Sequence, residues 1–149
     1  MSADEKKRAV IYCDGASRGN PGEAAAGVAI WDERGESLGT VSLYLGRRTN
    51  NQAEYAALLA GVMSAQVLGL TDVEFRLDSE LVVKQLNGEY RIKDASLREL
   101  AKRVKEAAAR LSPSKGSGQA RVRFVHVRRS SNREADELAN EALDARGNL

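Results

Sequence analysis

The 149-residue sequence has a single cysteine, a single histidine and no apolar run that approaches the length of a membrane span. Cys13 has no second cysteine with which to form an internal disulfide or a zinc-binding pair, and this fits a reducing compartment. The polar N-terminus, residues 1–8, lacks the apolar centre of a signal peptide. We therefore expect a cytoplasmic protein that makes no use of a membrane.

A strong net charge is also absent, since 23 basic and 21 acidic residues leave +2 at pH 7. A polyanionic partner would have to be held by locally concentrated positive charge. The apolar content of 42% and the charged content of 30% are those of an ordinary globular protein. We predict a single domain over residues 1–149, because the length suits one core and no internal repeat divides the chain. We expect its ends, residues 1–7 and 146–149, to be disordered.

The hydrophobic pattern predicts a mixed β-sheet flanked by helices, which is an α/β architecture. We expect strands at residues 9–13, 24–31, 38–45, 73–77 and 120–127, and helices at residues 51–68, 79–86, 95–111 and 131–145. Short connections between the first three strands favour an antiparallel meander. Residues 112–118, rich in serine and glycine, are predicted to form a flexible loop.

Asp14 follows the first predicted strand and opens a segment with three glycines, an asparagine and a proline within eight residues. An aspartate in this place either starts a turn by bonding to its own backbone or presents a functional carboxylate at the end of a sheet. The glycines allow the backbone to lie close to a ligand, which favours the functional interpretation. The glycine spacing matches neither a P-loop nor a dinucleotide-binding motif.

Three further acids, Glu54, Asp78 and Asp136, each have a structural and a functional interpretation. Glu54 lies on or beside the helix face that must pack on the sheet, where a carboxylate needs compensation, but it could complete a capping box with Asn51. Asp78 could be the N-cap of the second helix, and Asp136 could stabilise the N-terminus of the last helix. The structural interpretations are weaker jointly, because all four acids lie at predicted strand ends or first helical turns, which can meet at one edge of the sheet.

Four clustered carboxylates would repel one another and raise each other's pKa values. Bound divalent cations would remove this repulsion. Ligands that are all oxygen atoms select hard ions, so the pattern favours Mg²⁺ or Mn²⁺.

Four segments resemble, in order, the successive motifs of type 1 ribonuclease H. They are residues 12–22 (YCDGASRGNPG), residues 49–54 (TNNQAE), the pair Asp78-Ser79, and the stretch from His126 through Asn132 to Ala135-Asp136. The resemblance extends from about residue 8 to residue 143. It implies a ribonuclease H-like fold, a five-stranded mixed sheet with the third strand at one edge and the fifth at the other. It also implies that Asp14, Glu54, Asp78 and Asp136 are catalytic carboxylates that bind metal.

The activity implied by this resemblance is hydrolysis of the RNA strand of an RNA–DNA hybrid, which leaves 5′-phosphate and 3′-hydroxyl ends. Two Mg²⁺ ions roughly 4 Å apart, with Mn²⁺ as a possible substitute, can activate a water and stabilise the leaving oxygen, so that no serine or cysteine nucleophile is needed. We expect a monomer whose partner is the hybrid.

Small polar residues occupy the family positions that contact the hybrid, although each of them alone would be interpreted as a turn residue. Ser17, Asn20, Asn50 and Asn51 match positions that sense the 2′-hydroxyl, and Thr49, with nearby Arg47 or Arg48, matches the position that holds DNA phosphates. These five polar residues, Ser17, Asn20, Thr49, Asn50 and Asn51, are therefore the expected substrate contacts.

His126 lies ten positions before Asp136, the spacing of the family's mobile catalytic histidine, and a role in product release is expected from that match. Its neighbours are typical of a strand rather than of a flexible loop, so a structural role is an alternative. Arg128 or Arg129 could act near the scissile phosphate instead.

The sequence also departs from family members that carry a basic insertion rich in lysine and tryptophan after the second helix. Residues 87–96 contain only Arg91 and Lys93 as cations and no tryptophan. Together with Lys84 they would supply fewer phosphate contacts, so we expect weaker and more salt-sensitive hybrid binding than in members with the insertion. Two other functions stay open: a non-catalytic hybrid-binding module, which the presence of all four acids disfavours, and another nuclease of the same fold superfamily.

Overall fold

The computed structural model describes residues 8–111 and 121–147. The strands of this part of the chain are β1 (Arg8–Gly19), β2 (Gly22–Asp32), β3 (Ser37–Arg48), β4 (Asp72–Leu77) and β5 (Arg121–His126). Its α-helices are α1 (Asn50–Val67), α2 (Glu80–Leu86), α3 (Ala95–Ala109) and α4 (Arg133–Gly147), and a 3₁₀ turn at Arg129–Ser131 precedes α4. The predicted α/β architecture is confirmed.

The strands form one mixed sheet in the order β3-β2-β1-β4-β5, which confirms that the third and fifth strands are its edges. Strands β1, β2 and β3 are antiparallel neighbours, whereas β4 runs parallel to both β1 and β5. The parallel pairing of β1 with β4 ends at Tyr12 and Arg76. Asp14 and Asp78 lie just beyond this point, so the topology brings the two acids to one end of the sheet.

Helices α1 and α4 pack on opposite faces of the sheet. A Cβ atom added to Gly61 of α1 would contact Cys13 and Ile11 of β1, and one added to Gly27 of β2 would contact the α4 backbone. Because alternate residues of a strand point to opposite faces, Cys13 lies on the α1 face, and Asp14, paired with Gly27, lies on the α4 face. The main core, which includes Ile11, Leu58 and Phe75, lies on the α1 side.

The first strand is longer than expected, because residues 14–19 continue β1 instead of forming a loop. They pair with β2 as far as Gly19 opposite Gly22, so only Asn20 and Pro21 turn the chain. Glycine and alanine suit this stretch because helices approach its backbone closely, as at Gly15. Asp14 therefore lies within a strand rather than at its end.

The C-terminal end also differs from the expectation, because Arg146 and Gly147 belong to α4 instead of a disordered tail. The Arg146 guanidinium lies 5.1 Å from the centre of the Tyr44 ring, so a cation–π contact ties the helix end to β3. The predicted ends at residues 1–7 and 148–149 and the predicted loop at residues 112–118 lie outside the described residues. No helix in the described part of the chain is both long and apolar enough to cross a membrane.

Candidate active site

Three of the four predicted carboxylates meet at one end of the sheet. Asp14 comes from β1, Glu54 from the second turn of α1 and Asp78 from the residue after β4, and one oxygen of each lies within 4.8 Å of the others. Asp14 is only 5% exposed and Glu54 only 8%. Two nearly buried carboxylates beside a third are unfavourable without a cationic partner.

Glu54 is free to join this cluster because other residues cap its helix. Thr49 is the N-cap of α1: its hydroxyl accepts a hydrogen bond from the Gln52 N–H, and the Gln52 side chain accepts one from the Thr49 N–H. The alternative interpretation of Glu54, as part of a capping box with Asn51, is therefore wrong. The N-cap lies two residues before Asn51, and Glu54 is left facing the sheet.

A very close contact between β1 and α1 fixes the position of Glu54. A Cβ atom added to Gly15 would lie 2.1 Å from the backbone carbon of Ala53, so only glycine allows the strand and helix backbones to touch here. The Gly15 N–H donates to Glu54 Oε1 at 3.1 Å. Within the described residues, Glu54 Oε2 is buried and has no hydrogen-bond partner.

Asp78 does not cap α2, because that role falls to Ser79, whose hydroxyl accepts a hydrogen bond from the Val82 N–H at 3.3 Å. The interpretation of Asp78 as an N-cap is therefore wrong. Its carboxylate instead joins Asp14 and Glu54, since the chain leaves the parallel β1–β4 pair at this point.

Asp136 approaches the cluster from the other face of the sheet, in the first turn of α4. Asn132, only 1% exposed, donates from Nδ2 to the Cys13 carbonyl at 2.9 Å and so ties the start of α4 to the residue before Asp14. Gly27 lets the helix lie against β2, because an added Cβ would be 1.9 Å from the Ala135 carbonyl oxygen. Asp136 lines the same cavity as the other three acids.

Burial and mutual repulsion raise the pKa values of two of the acids, Asp14 and Glu54. The pKa of Asp14 rises to about 10, chiefly because the group is buried and then because of the charges of Glu54 and Asp78. The pKa of Glu54 rises to about 7, again chiefly through burial and then through Asp78, although the Gly15 N–H opposes the rise. The protein thus holds together oxygen ligands whose ionised forms need a positive charge.

The donor set fits a hard divalent cation. All of the side chains offer carboxylate oxygens, and the buried, unpaired Glu54 Oε2 is a ligand atom without a protein partner in the described structure. Cys13 is beside the cluster but buried, and burial raises the pKa of its thiol, so it is not a ligand that competes for a soft metal.

The acids lie in an open cavity of about 400 Å³ whose wall contains three of the five expected substrate contacts, Ser17, Asn50 and Asn51. The other two have structural roles. The Asn20 side chain accepts a hydrogen bond from the Asn50 N–H at 3.0 Å, and Thr49 caps α1. The tip of the β1–β2 hairpin is thereby attached to the start of the helix that carries Glu54.

His126 and Arg129 are placed differently with respect to this cavity. Among the described residues, the cavity wall includes Arg129 and not His126. His126 is the last residue of β5, opposite Leu77, and its side chain is exposed. Arg129 lies in the 3₁₀ turn that leads into α4, and this turn brings the residue to the cavity wall.

The sequence patterns gave no role to several residues that build the site, although Gly15 and Asn132 lie within the motifs quoted above. Gly15, Gly27 and Asn132 hold the two helices on the strands, and Asn140 contacts Asp136. Only the contact of Asn140 had a local signal, because residues four apart on a helix are neighbours. The contacts of the glycines and Asn132 join distant parts of the chain, so no local pattern could have predicted them.

Comparisons with known proteins agree with this arrangement. A family model described as reverse transcriptase-like matches residues 12–142. Ribonuclease HI of Halobacterium salinarum is 43% identical over 144 residues, which are 97% of this chain and 68% of that protein. The bifunctional protein Rv2228c of Mycobacterium tuberculosis is 37% identical over 139 residues, which are 93% of this chain but only 36% of that protein.

Solved structures are similar over the same range. The crystal structure of RNase H1 from Halobacterium salinarum has a TM-score of 0.84 at 43% identity and covers 93% of this chain and 98% of that chain. LC11-RNase H1 in complex with an RNA/DNA hybrid has a TM-score of 0.81 at 40% identity, with coverage of 92% and 97%. The likeness therefore extends over sheet and helices rather than one motif.

Proposed function

This chain belongs to the type 1 ribonuclease H family, and we propose that it hydrolyses the RNA strand of RNA–DNA hybrids with divalent metal ions. One observation carries the proposal: Asp14, Glu54 and Asp78 present oxygens within 4.8 Å of one another in an open cavity that Asp136 also lines. A module that only bound the hybrid would not need these costly, nearly buried acids.

We propose Mg²⁺ as the metal, with Mn²⁺ as a substitute, because every ligand is a carboxylate oxygen. Asp14, Glu54, Asp78 and Asp136 would hold two ions. When bound, such a pair supplies an activated water for attack on the phosphorus and stabilises the charge on the leaving oxygen, which yields 5′-phosphate and 3′-hydroxyl ends.

The chain's own groups orient the acids and the substrate. The Gly15 N–H holds Glu54 Oε1, so that the unpaired Oε2 is left as the ligand atom. Arg129 on the cavity wall would attract the negative phosphate of the RNA strand. We therefore propose that Arg129 acts near the scissile phosphate. His126 would have no role that requires contact with the acids.

Selectivity for RNA would come from small polar groups that meet the 2′-hydroxyl. The Ser17 hydroxyl contacts the carbonyl oxygens of Gly19 and Arg48 and can donate its single proton to either of them, so its oxygen remains available to accept a hydrogen bond from a 2′-hydroxyl. The side chains of Asn50 and Asn51 on the cavity wall can donate and accept.

Binding of the hybrid should be weaker and more salt-sensitive than in family members with the basic insertion. Lys84, one of the few cations near the position of the missing insertion, forms an ion pair with Glu80 at 2.7 Å and also bonds to the Tyr90 hydroxyl at 3.3 Å. Its charge is thus partly compensated within the protein. Phosphate contacts made by the remaining exposed cations are lost as salt rises.

We also propose that one chain suffices for activity, because a single chain supplies all four acids. We propose further that the enzyme works in the cytoplasm, where Cys13 would stay reduced.

The test is cleavage of one labelled sequence presented as RNA–DNA hybrid, duplex RNA, duplex DNA and single strands, with Mg²⁺ or Mn²⁺. We expect cuts only in the RNA strand of the hybrid, and complete loss of cutting in Asp14→Asn. Binding of the hybrid without cleavage under either metal would replace this proposal with a non-catalytic binding module. Cleavage of duplex DNA would indicate a nuclease with a broader substrate range.

A further inference from the structure

Asp136 differs from the other three acids in what holds it. The mutually close oxygens belong to Asp14, Glu54 and Asp78, whereas Asp136 is only half-buried. One of its oxygens, Oδ1, accepts a hydrogen bond from Asn140 Nδ2 at 3.3 Å. The same Nδ2 also donates to the Asp136 carbonyl at 3.0 Å, so the amide of Asn140 spans backbone and side chain one helical turn back.

The amide of Asn140 is itself held from the sheet. Arg18, four residues after Asp14 on β1, donates from Nη2 to Asn140 Oδ1 at 3.3 Å. The same guanidinium nitrogen is 2.6 Å from Asp144 Oδ1, an ion pair that keeps Arg18 against α4. The contacts therefore run from β1 through Arg18 and Asn140 to the carboxylate of Asp136.

We propose that Asn140, oriented by Arg18, is a positioning residue that sets the carboxylate of Asp136 for metal binding. Arg18 fixes which end of the amide faces Asp136, because a guanidinium can only donate and must therefore meet the amide oxygen. The amide nitrogen is then directed at Asp136 Oδ1. With Oδ1 engaged, the other oxygen of Asp136 is the one left to face the cavity.

This support matters because Asp136 lacks the packing that fixes Glu54. A half-exposed aspartate has rotational freedom that it must lose on binding a cation. Partners that hydrogen-bond a metal-binding carboxylate restrict that freedom before the metal arrives, and their loss typically lowers metal affinity or activity by about 10- to 100-fold. The inference rests on the proposed metal-binding role of Asp136.

The experiment compares metal affinity and turnover in Asn140→Ala, Asn140→Asp and Arg18→Ala. Mn²⁺ binding is measured by calorimetry, and hybrid cleavage is measured over a range of metal concentrations. We expect Asn140→Ala to weaken Mn²⁺ binding about 10-fold, and Arg18→Ala to weaken it less. Turnover at saturating metal should change less than the metal concentration that gives half-maximal cleavage. Asn140→Asp keeps the side-chain shape but removes the donor, so it should be at least as impaired as Asn140→Ala.

A double-mutant cycle with Asp136→Asn separates positioning from a general structural effect. If Asn140 acts through Asp136, Asn140→Ala should weaken Mn²⁺ binding no further in the Asp136→Asn background. Additive losses, wild-type binding by Asn140→Ala, or a benign Asn140→Asp would each overturn the inference. Thermal unfolding and the fluorescence of Trp31, which donates to Glu134 of α4 at 3.0 Å, report whether the helix stays docked.

Two control variants match the chemistry away from the site. Asn87→Ala removes an exposed amide that donates to the Phe124 carbonyl at 3.3 Å, and Arg103→Ala removes an exposed arginine paired with Glu99 at 3.5 Å. Both should bind Mn²⁺ like the wild type. If the wild type itself neither binds Mn²⁺ nor cuts the hybrid, the proposed function fails. If it does both and the Asn140 and Arg18 variants match it, only the positioning role fails.

Discussion

Glu54 and Asp136 reach Asp14 from opposite faces of the sheet, and the two faces hold them by different means. On the α1 face, Gly15 touches the helix backbone and donates its N–H to the nearly buried Glu54. On the α4 face, Asn132 holds the helix start, and a half-exposed Asp136 depends on the amide of Asn140.

The difference indicates that substitutions at Glu54 and at Asp136 have unequal effects on the site. Backbone contact leaves Glu54 a single position, so a change there alters the cluster itself. Side-chain contacts leave Asp136 able to move, so a change there alters how readily the site is completed.

The largest expected effect contrasts Glu54→Gln with Asp136→Asn in hybrid cleavage at saturating Mg²⁺. We expect Glu54→Gln to lower turnover at least about a thousandfold, or ~4 kcal/mol of barrier, because it removes a charge from the close cluster. Asp136→Asn should lower it about 10- to 100-fold, or ~1.4 to ~2.7 kcal/mol of barrier, because its half-buried carboxylate lies outside the three mutually close oxygens. Equal losses for both would contradict the comparison.

The next effect concerns the glycines that allow the helices to approach. An added Cβ would lie 2.1 Å from Ala53 in Gly15→Ala and 1.9 Å from the Ala135 oxygen in Gly27→Ala. We expect each to lower the free energy of unfolding by about 3 kcal/mol or more, because the obstacle is backbone and cannot rotate away. Chemical denaturation measures this change.

Gly88→Ala is the matched control for these two variants. Gly88 has a φ of +78° but open space around its Cβ position, so only backbone strain is added. A loss of about 1 kcal/mol is expected. If Gly15→Ala destabilised the protein no more than this control, the close approach of α1 would not fix Glu54.

The two faces also differ in how well the sequence predicted them. The order of elements and the identity of the sheet edges followed from hydrophobic periodicity and from the resemblance of the motifs to a known family. Glu54 was found because a carboxylate on a packing face is unusual. The alternative N-cap, Asn51, lies two residues after the actual one, because Asn51 and Thr49 are both good caps and only the Gln52 contact decides between them.

What the sequence could not show was the contact between elements far apart in the chain. The segment after Asp14 has the composition of a loop, yet it is strand, because β2 pairs with it and both faces are covered by helices. Similarly, Asn132 reaches the Cys13 carbonyl over 119 positions of sequence. Such contacts depend on the assembled sheet and leave no local pattern.

A smaller effect should appear as a pH dependence of stability in the absence of metal. The pKa of Asp14 rises from 3.8 to about 10 on folding, so between these values the folded state keeps a proton that the unfolded state releases. Stability therefore falls as pH rises through this window. In EDTA at pH 8 we expect Asp14→Asn to be more stable than the wild type by about 2 kcal/mol.

The stability that Asp14→Asn gains over the wild type in EDTA should shrink as pH approaches 4. Mg²⁺ should stabilise the wild type more than Asp14→Asn, because only the intact site binds the ion well. Asp136→Asn, at a half-exposed position, should gain less than about 0.5 kcal/mol. Thermal unfolding with EDTA and with Mg²⁺ measures all three proteins. A wild type more stable than Asp14→Asn in EDTA would show that Asp14 is not under electrostatic strain.

The smallest effect separates Arg129, in the turn before α4, from His126, at the end of β5. We expect Arg129→Ala to lower turnover about 5- to 10-fold, because its cation lines the cavity and a phosphate would lose one charged contact, worth roughly 1 kcal/mol. His126→Ala should stay within about 2-fold of the wild type, since surface substitutions rarely change free energies by more than about 0.5 kcal/mol. Hybrid cleavage from pH 6 to 9 measures both variants. If His126→Ala lost more turnover than Arg129→Ala, the end of β5 would have to move toward the acids during the reaction.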